Sequence, residues 1–318
     1  MQKKEQTMAK RTYHEEIKLA LANDKEIRVI ERELPESRLK MTIYPIVRGI
    51  YLVLHEIEGT IMPFENDNFN RPVYTINYCL SGRCEFRKSN DKVSYLSPGT
   101  VCIGKKENLS SFYYPLGHYT GYEIYFFESL YDRESFEFLK RFELDRAELF
   151  GRYTDEDSVF IGRMSREQDL FKNVAAPDCS RPGLVRSNVV RLLQELQFDD
   201  PVVSFSPNFI TPRQKKLANM AHDILVKDLS VHIPIRTISD RFGISETNLK
   251  NCFKEVYGLC ISEYMTSCRM REAARLLTDT DISILEIAGR VGYTNQGRFA
   301  RVFQDHYRMK PLKYRHSR

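Results

Sequence analysis

Two stretches near the end of the chain share one pattern and decide the fold. The first reads Ile238-Ser-Asp-Arg-Phe-Gly-Ile-Ser245 and is followed by Leu249, Phe253, Tyr257 and Tyr264. The second, about fifty positions later, reads Ile287-Ala-Gly-Arg-Val-Gly-Tyr-Thr294 and is followed by Phe299, Phe303, Tyr307 and Tyr314. Each stretch predicts a short helix, a glycine turn, a polar cap and a second helix. That order is typical of a helix-turn-helix, whose second helix enters the major groove of DNA.

Each predicted helix-turn-helix has a buried face and an open face. Gly243 and Gly292 supply the backbone freedom for the two turns. Ser245 is the predicted cap of the first recognition helix, and Thr294 or Asn295 that of the second. The open faces carry Glu246, Thr247, Lys250 and Asn251 in the first copy, and Gln296, Gly297, Arg298 and Arg301 in the second. Asn can bind adenine, and Arg or Lys can bind guanine or phosphate; the alternative for these polar residues is simple solvation.

Charge is distributed unevenly along the chain. Residues 211–318 have a net charge of +8, whereas the remainder has −3. A basic domain attracts phosphate, and together with the repeat this favours DNA binding over an ordinary solvated surface. Between the two copies, Ser262 to Leu277 predicts a connecting helix of roughly 24 Å. Such a helix could place two recognition helices in adjacent major grooves, roughly 34 Å apart.

The sequence before this basic part predicts strands and then helices. Residues 1–40 are predicted as a helical segment, with a charged helix from Tyr13 to Glu31. From Met41 to Phe127, aromatic and β-branched residues between turn signals predict a sandwich or small barrel, including a hairpin from Thr75 to Arg87. Helices follow, so 41–198 is one predicted domain. The proline-containing stretch 199–212 is a predicted linker to a domain over 213–318.

One predicted helix of the N-terminal domain has two interpretations. Its apolar residues recur at three- and four-residue steps, which indicates an amphipathic helix. These residues are Leu184, Val185, Val189, Leu192, Leu193 and Leu196. The apolar face is either a contact between subunits of a dimer or the surface that packs on the chain's own sheet.

Composition argues against several other classes of protein. No stretch of eighteen apolar residues predicts a membrane span, and no apolar run follows the basic N-terminus as in a signal peptide. The seven cysteines include no Cys-x-x-Cys pair, which favours reduced thiols in the cytoplasm. For Cys79 and Cys84 the alternatives are buried apolar packing and redox sensing.

Catalytic and metal-binding motifs are also missing from the sequence. No Gly-x-Ser-x-Gly, phosphate loop or His-Glu-x-x-His is present, so we expect neither an enzyme nor a cofactor. There is no His-x-His, and His55 and His118 stand alone, so we expect no metal.

The segment from Ile238 to Arg315 resembles the C-terminal domain of AraC/XylS-type bacterial transcription regulators. The matching residues include Phe242-Gly-Ile-Ser245, Arg269-Met270, Ala273-Ala-Arg-Leu-Leu277, Val291-Gly-Tyr293, Pro311 and Tyr314-Arg315. The resemblance implies two helix-turn-helix motifs over 235–257 and 284–307. It places Thr247, Lys250 and Asn251 of the first recognition helix at the DNA, and Gln296, Gly297, Arg298 and Arg301 of the second. Thr247-Asn-Leu-Lys250 is most similar to the branch with siderophore-responsive regulators.

Two residues depart from the family's pattern. Arg308 stands where the family usually has Gly at a helix C-terminus, so we expect a strained left-handed residue there. Ser239 stands where the family usually has Ala.

The N-terminal part is similar to the family's cupin-like sensor domain, through Leu80-Ser-Gly-Arg83 and Tyr95-Leu-Ser-Pro-Gly99.

These observations predict an α+β chain of two domains. The N-terminal domain is a cupin-like β-barrel or sandwich with helices, and the C-terminal domain is all-α, with two helix-turn-helix motifs joined by a linker helix. The leading hypothesis is a cytoplasmic, homodimeric transcription regulator that binds double-stranded DNA and a small-molecule effector, and RNA polymerase if it activates. Aromatic candidates for the effector site are Tyr51, Tyr74, Tyr78, Tyr122 and Tyr125. The alternatives are an N-terminal domain that mediates only protein contacts, and a cupin enzyme with a DNA-binding tail.

Overall fold

The computed structural model describes residues 26–35, 37–61, 73–87, 92–106, 113–153, 159–164, 170–175, 181–199, 202–204 and 209–317. The chain divides into two compact units, Met1–Phe209 and Ile210–Arg318. The N-terminal unit is rich in β-structure and the C-terminal unit is helical in its described part, which agrees with the predicted α+β class. Among the helices of the described ranges, none has the length and apolar composition to span a bilayer.

The N-terminal unit is built on antiparallel strands. Their bounds are β1 (Arg28–Leu34), β2 (Ser37–Val47), β3 (Ile50–Gly59), β4 (Val73–Gly82), β5 (Cys84–Arg87), β6 (Val93–Leu96), β7 (Thr100–Lys106), β8 (His118–Phe126), β9 (Val159–Met164) and β10 (Val202–Ser204). Eight of them form one sheet in the order β1-β2-β3-β8-β4-β7-β9-β10, and β5 pairs with β6 separately. The second strand of the predicted Thr75–Arg87 hairpin therefore pairs elsewhere, and that prediction is wrong.

β4 ends at a glycine that lies very close to β8. Gly82 has a φ of 80° and pairs with Tyr119 of β8. A Cβ atom at this position would lie 2.2 Å from the carbonyl oxygen of His118. Only a residue without a Cβ atom fits this close approach to β8, and β5, which begins two residues later, pairs with β6.

Alternation along the strands gives the large sheet two apolar faces. On one face, Leu52, Ile76 and Ile124 belong to a core that also contains helical side chains such as Phe171. On the other face, a second core contains Leu39, Met41, Tyr51, Val53, Tyr119, Tyr125 and Phe127. Side chains on both faces of the middle strands are mostly buried, with a few polar residues among the apolar ones.

Within the described residues, four α-helices accompany the sheet, and the last of them decides between the two interpretations of the amphipathic stretch. Their bounds are α1 (Arg133–Arg141), α2 (Arg146–Gly151), α3 (Leu170–Ala175) and α4 (Pro182–Phe198). Val189, Leu192, Leu193 and Leu196 of α4 are 0% exposed in the first core, whereas Leu184 is 48% exposed. The leucine face packs within its own unit, so the prediction that it contacts a second subunit is wrong.

The structure also bears on the predicted N-terminal helix and on the predicted linker. Most of the predicted Tyr13–Glu31 helix lies outside the described residues, but its last four residues begin β1, and β2 begins at Ser37. The prediction of a helical segment over 1–40 is therefore wrong where the structure describes it. Alternating exposure along β1, which pairs with β2, explains why this charged stretch suits an edge strand. Val202–Ser204, inside the predicted linker, forms β10 and pairs with β9.

The C-terminal unit consists of seven helices within its described residues. Their bounds are α5 (Pro212–Val226), α6 (Ile235–Phe242), α7 (Glu246–Tyr257), α8 (Ile261–Asp279), α9 (Ile284–Arg290), α10 (Gln296–Tyr307) and α11 (Pro311–His316). Helix α5 begins with a capping box, in which Thr211 and Gln214 bond each other's backbone amides. It contacts α7 through His222, whose ring stacks on Tyr257 with a centroid distance of 5.0 Å.

The cysteines differ sharply in exposure, which bears on redox sensing. Cys79 and Cys84 are 0% and 4% exposed, and burial raises the pKa of Cys79 to about 12. Oxidation needs an accessible thiolate, so packing is favoured for this pair. We expect a thiol-alkylating reagent to modify the exposed Cys260 rapidly in the native protein and Cys79 only after unfolding, as measured by peptide mass spectrometry. Rapid native alkylation of Cys79 would restore the redox hypothesis.

Candidate nucleic-acid interface

The first helix-turn-helix is formed by α6 and α7. Gly243 follows the last residue of α6; its φ of 64° is left-handed, and its amide donates to the carbonyl of Asp240. The Ser245 hydroxyl accepts a hydrogen bond from the amide of Asn248 at 3.2 Å, which starts α7. Ser239, in the family's Ala position, is 1% exposed, and its hydroxyl donates to the carbonyl of Arg236 at 3.0 Å. This bond satisfies the buried hydroxyl.

Helix α7 separates an apolar inner face from a polar outer face. Leu249, Cys252 and Phe253 are buried. Thr247, Lys250 and Asn251 are all exposed on the outer side. Lys250 pairs with Glu246 at 2.9 Å, an exposed pair four residues apart. Such pairs contribute about 0.3–0.5 kcal/mol, so a DNA phosphate or base can compete for Lys250.

The second helix-turn-helix is formed by α9 and α10. Gly292 turns with a φ of 80°. The side chain of Asn295, rather than Thr294, caps α10, because its Oδ1 accepts from the amide of Arg298 at 2.8 Å. Phe299 and Phe303 are buried.

The outer face of α10 carries the four positions expected from the sequence. Gln296, Gly297, Arg298 and Arg301 are exposed. Within the described ranges, neither arginine forms an ion pair with a carboxylate, so both guanidinium groups are accessible to bases or phosphates. A Cβ atom at Gly297 would meet only the side-chain oxygen of Asn295, at 3.2 Å, so the position has little packing of its own.

One helix connects the cores of the two motifs. Helix α8 has 19 residues, which corresponds to roughly 28 Å. Near its start, Tyr264 packs on Phe253 with ring centroids 5.4 Å apart. Near its end, Ala273 and Leu277 belong to the core that contains Phe299 and Phe303. The two recognition helices are therefore carried by one connecting helix.

Arg308 has the backbone conformation expected where the family usually has glycine. It follows α10 with a φ of 58° and is exposed. A left-handed conformation costs a side-chain-bearing residue about 1–2 kcal/mol. We expect Arg308→Gly to raise the free energy of unfolding of the C-terminal unit by about 1 kcal/mol, measured by chemical denaturation.

A matched substitution separates this effect from a general response to glycine. Gln304 is exposed inside α10, where glycine costs about 1 kcal/mol relative to alanine. Gln304→Gly is therefore expected to destabilise the same unit. Equal destabilisation by both substitutions would show that Arg308 carries no relievable strain.

The five tyrosines proposed for an effector site do not lie together. Tyr78 and Tyr122 belong to the helix-covered core, where Tyr78 stacks on Phe171. Tyr74 is half-buried beside that core, with Arg146 over its ring at 4.5 Å. Tyr51 and Tyr125 lie in the core on the opposite face of the sheet.

A buried polar cluster on the Tyr51 and Tyr125 face was not predicted. The carboxyl group of Glu123, 5% exposed, accepts hydrogen bonds from Asn77 at 2.9 Å and from Tyr125. His55, 4% exposed, has its Nε2 atom 3.6 Å from the same carboxyl group. The hydroxyl of Tyr119 donates to Asn77 at 3.1 Å. A glutamate within the apolar strand Gly121-Tyr-Glu-Ile-Tyr125 was the available signal for this cluster.

The two histidines considered as metal ligands have different environments. His55 belongs to the buried cluster, whereas His118 is exposed at the start of β8. In the part of the chain that the structure describes, no group of three or more His, Cys, Asp or Glu residues is arranged to hold a metal ion.

Known proteins are similar to parts of this chain. A helix-turn-helix domain family matches residues 238–317. The probable transcription factor PqrA of Proteus vulgaris is 38% identical over 85 residues, covering 27% of this chain and 70% of PqrA. The multiple antibiotic resistance protein MarA of Escherichia coli is 30% identical over 93 residues, covering 29% of this chain and 73% of MarA.

Two matches extend the comparison. An uncharacterised helix-turn-helix transcriptional regulator of Haemophilus influenzae is 25% identical over 196 residues, covering 52% of this chain and 65% of that protein. Among solved structures, the C-terminal domain of AraT from Geobacillus stearothermophilus is 29% identical, with a TM-score of 0.31, and covers 32% of this chain and 85% of that domain. With the helix-turn-helix family match and the extent of the likeness to PqrA and MarA, the chain belongs to the AraC family of DNA-binding transcriptional regulators.

Proposed function

We propose that this regulator reads a specific DNA sequence with both of its recognition helices. The main support for the proposal is that the polar outer face of each recognition helix is exposed. All seven proposed contact positions are exposed, while the apolar side chains of the same helices are buried. Helix α7 offers Thr247, Lys250 and Asn251 to one major groove, and α10 offers Gln296, Gly297, Arg298 and Arg301 to the next.

Recovery of genomic DNA tests this proposal. The purified full chain would be mixed with sheared genomic DNA at about 0.15 M salt, where nonspecific phosphate contacts are weakened, and the bound fragments sequenced. We expect a recurrent site with two half-elements about ten base pairs apart. Binding that covers all fragments equally, with and without cell extract, would contradict it.

We propose that the N-terminal unit is a cupin-like sensor and that its effector binds on the sheet face that carries Tyr51 and Tyr125. Aromatic walls with a few placed polar groups are typical of small-molecule sites. On this face, Glu123, His55 and Asn77 supply such polar groups among apolar neighbours. Effector binding there would change the populations of the conformations in which the DNA-binding domains are presented.

A pair of buried glutamates provides the test of this site. Glu123 and Glu85 are 5% and 4% exposed, and each accepts a hydrogen bond from a tyrosine hydroxyl. Small-molecule fractions of a cell extract would be screened for those that raise the thermal unfolding temperature of the full chain. We expect Glu123→Gln to abolish the rise and Glu85→Gln to retain it. If no fraction raises the temperature of the native protein, the alternative of an N-terminal unit for protein contacts is favoured.

DNA binding also suggests where the protein acts and which partners it has. We propose that the protein acts in the cytoplasm as a homodimer, with RNA polymerase as a further partner if it activates transcription. Because the leucine face of α4 is buried within its own unit, the dimer contact is proposed for another surface.

A further inference from the structure

Arg269 links the connecting helix to the first helix-turn-helix. It lies at the middle of α8 and is half-buried. Its Nε donates to the carbonyl oxygen of Leu229 at 3.0 Å, and its Nη2 donates to that of Val231 at 3.2 Å. Both carbonyls lie between α5 and α6, where the chain enters the first motif. The planar guanidinium fixes the direction of both bonds at once.

The same entry segment touches the turn of the second motif. A Cβ atom at Gly292 would lie 2.6 Å from the Leu229 carbonyl oxygen and 3.1 Å from that of Ser230. It would also lie 3.3 Å from Cζ of Arg269. The entry of the first motif, the turn of the second and the side chain of Arg269 thus form one close-packed contact, which we call the Arg269 junction.

The entry segment is held in shape by its own hydrogen bonds. The carboxyl group of Asp228 accepts from the amide of Ser230 at 2.9 Å and from its hydroxyl at 2.6 Å. These bonds hold the pKa of Asp228 below its ordinary value. The two carbonyls that Arg269 binds therefore belong to an ordered turn rather than to a loop shaped by Arg269 alone.

The junction is specific to the second turn and adjoins its recognition helix. At Gly243, the equivalent glycine of the first motif, an added Cβ atom would meet nothing within 4 Å. Next to Gly292, burial raises the pKa of Tyr293, and the charges of Arg269 and Arg298 oppose that rise. Because Gly292 contacts Arg269 and lies four residues before the helix begins at Gln296, Arg269 is close to the start of the helix that carries Arg298.

We infer that Arg269 is a positioning residue that fixes the two recognition helices relative to each other, and thereby sets the spacing of half-elements that the protein accepts. The inference rests on the proposed function. One inserted base pair rotates a half-element by about a tenth of a turn, since a turn has about 10–10.5 base pairs. Two motifs held rigidly together cannot both reach half-elements that are rotated in this way. Two motifs that have lost the Arg269 junction can reorient and reach both.

The test uses duplexes selected from random DNA by the native full chain. One duplex carries both half-elements, two carry the pair with one base pair inserted or removed, and one carries a single half-element. The variants are Arg269→Met and Arg269→Lys. Arg275→Met is the control, because the Arg275 side chain is exposed on the same helix and bonds to Glu272 and Asp279 of that helix.

We expect Arg269→Met to bind the single half-element within about twofold of the native protein, and the correctly spaced pair at least about tenfold more weakly. Its preference for the native spacing over the altered spacings should also shrink. Arg269→Lys keeps the charge but loses the paired N–H donors of the guanidinium, so it should show the same changes to a smaller degree. If the Met variant does not fold, the Lys variant is compared with the native protein instead. Arg275→Met should behave as the native protein.

Two outcomes would overturn the inference. One is native spacing preference in both Arg269 variants. The other is an equal loss on single and paired elements, which would indicate a role in stability alone. Failure of the proposed function shows itself elsewhere, in a native protein that selects no shared sequence.

Discussion

Replacing Leu192 by glutamate is expected to unfold the N-terminal unit. Leu192 is 0% exposed in the core between α4 and the sheet. Loss of a buried leucine costs about 2–5 kcal/mol, and a buried carboxylate without a partner costs several more. Together these approach the roughly 5–15 kcal/mol by which a domain is stable. Thermal unfolding followed by circular dichroism should show the loss of the unit's transition.

The same helix offers a matched control. Leu184 is 48% exposed on α4, so Leu184→Glu should change the free energy of unfolding by less than about 0.5 kcal/mol. Sedimentation would be measured for both variants. A Leu192→Glu protein that stays folded but changes from dimer to monomer would contradict the packing described here.

Removing single proposed base contacts is expected to weaken specific DNA binding strongly. Asn251→Ala and Arg298→Ala should each cost about 1–3 kcal/mol on the selected site, because a bidentate contact to a base is lost. Both side chains are exposed, so folding should be unaffected. Fluorescence anisotropy with selected and random duplexes measures both affinities.

Binding to random DNA distinguishes a base contact from a phosphate contact. A base contact is lost only on the selected site, whereas a phosphate contact is lost on both duplexes. Arg191→Ala controls for charge, since Arg191 is exposed on α4 of the other unit. Equal losses on both duplexes for Arg298→Ala would assign that side chain to phosphate and contradict its proposed role.

The helical part of the fold could be predicted well because its signals are local. Glycine turns, caps and apolar spacing define each helix-turn-helix within about twenty residues. Even so, the sequence treats Gly243 and Gly292 alike, whereas only Gly292 packs against another segment. That difference depends on the entry turn at Leu229, about sixty residues away in sequence, and no local pattern contains it.

The N-terminal unit was harder to predict for the same physical reason. Strand pairing there is long-range: β4 lies between β7 and β8, and β5 leaves the sheet. The candidate tyrosines all belong to apolar strands, but the parity of each position within its strand places it on one face or the other. Periodicity likewise identified the apolar face of α4, but not what that face would contact.

A hydroxyl-radical footprint of the purified full chain on its selected duplex shows whether both recognition helices bind one DNA molecule in adjacent major grooves. We predict two protected patches for each bound protomer, about ten base pairs apart on one side of the duplex. Arg298→Ala should weaken only one of them, and Asn251→Ala the other. A single patch that both substitutions weaken equally would contradict the claim.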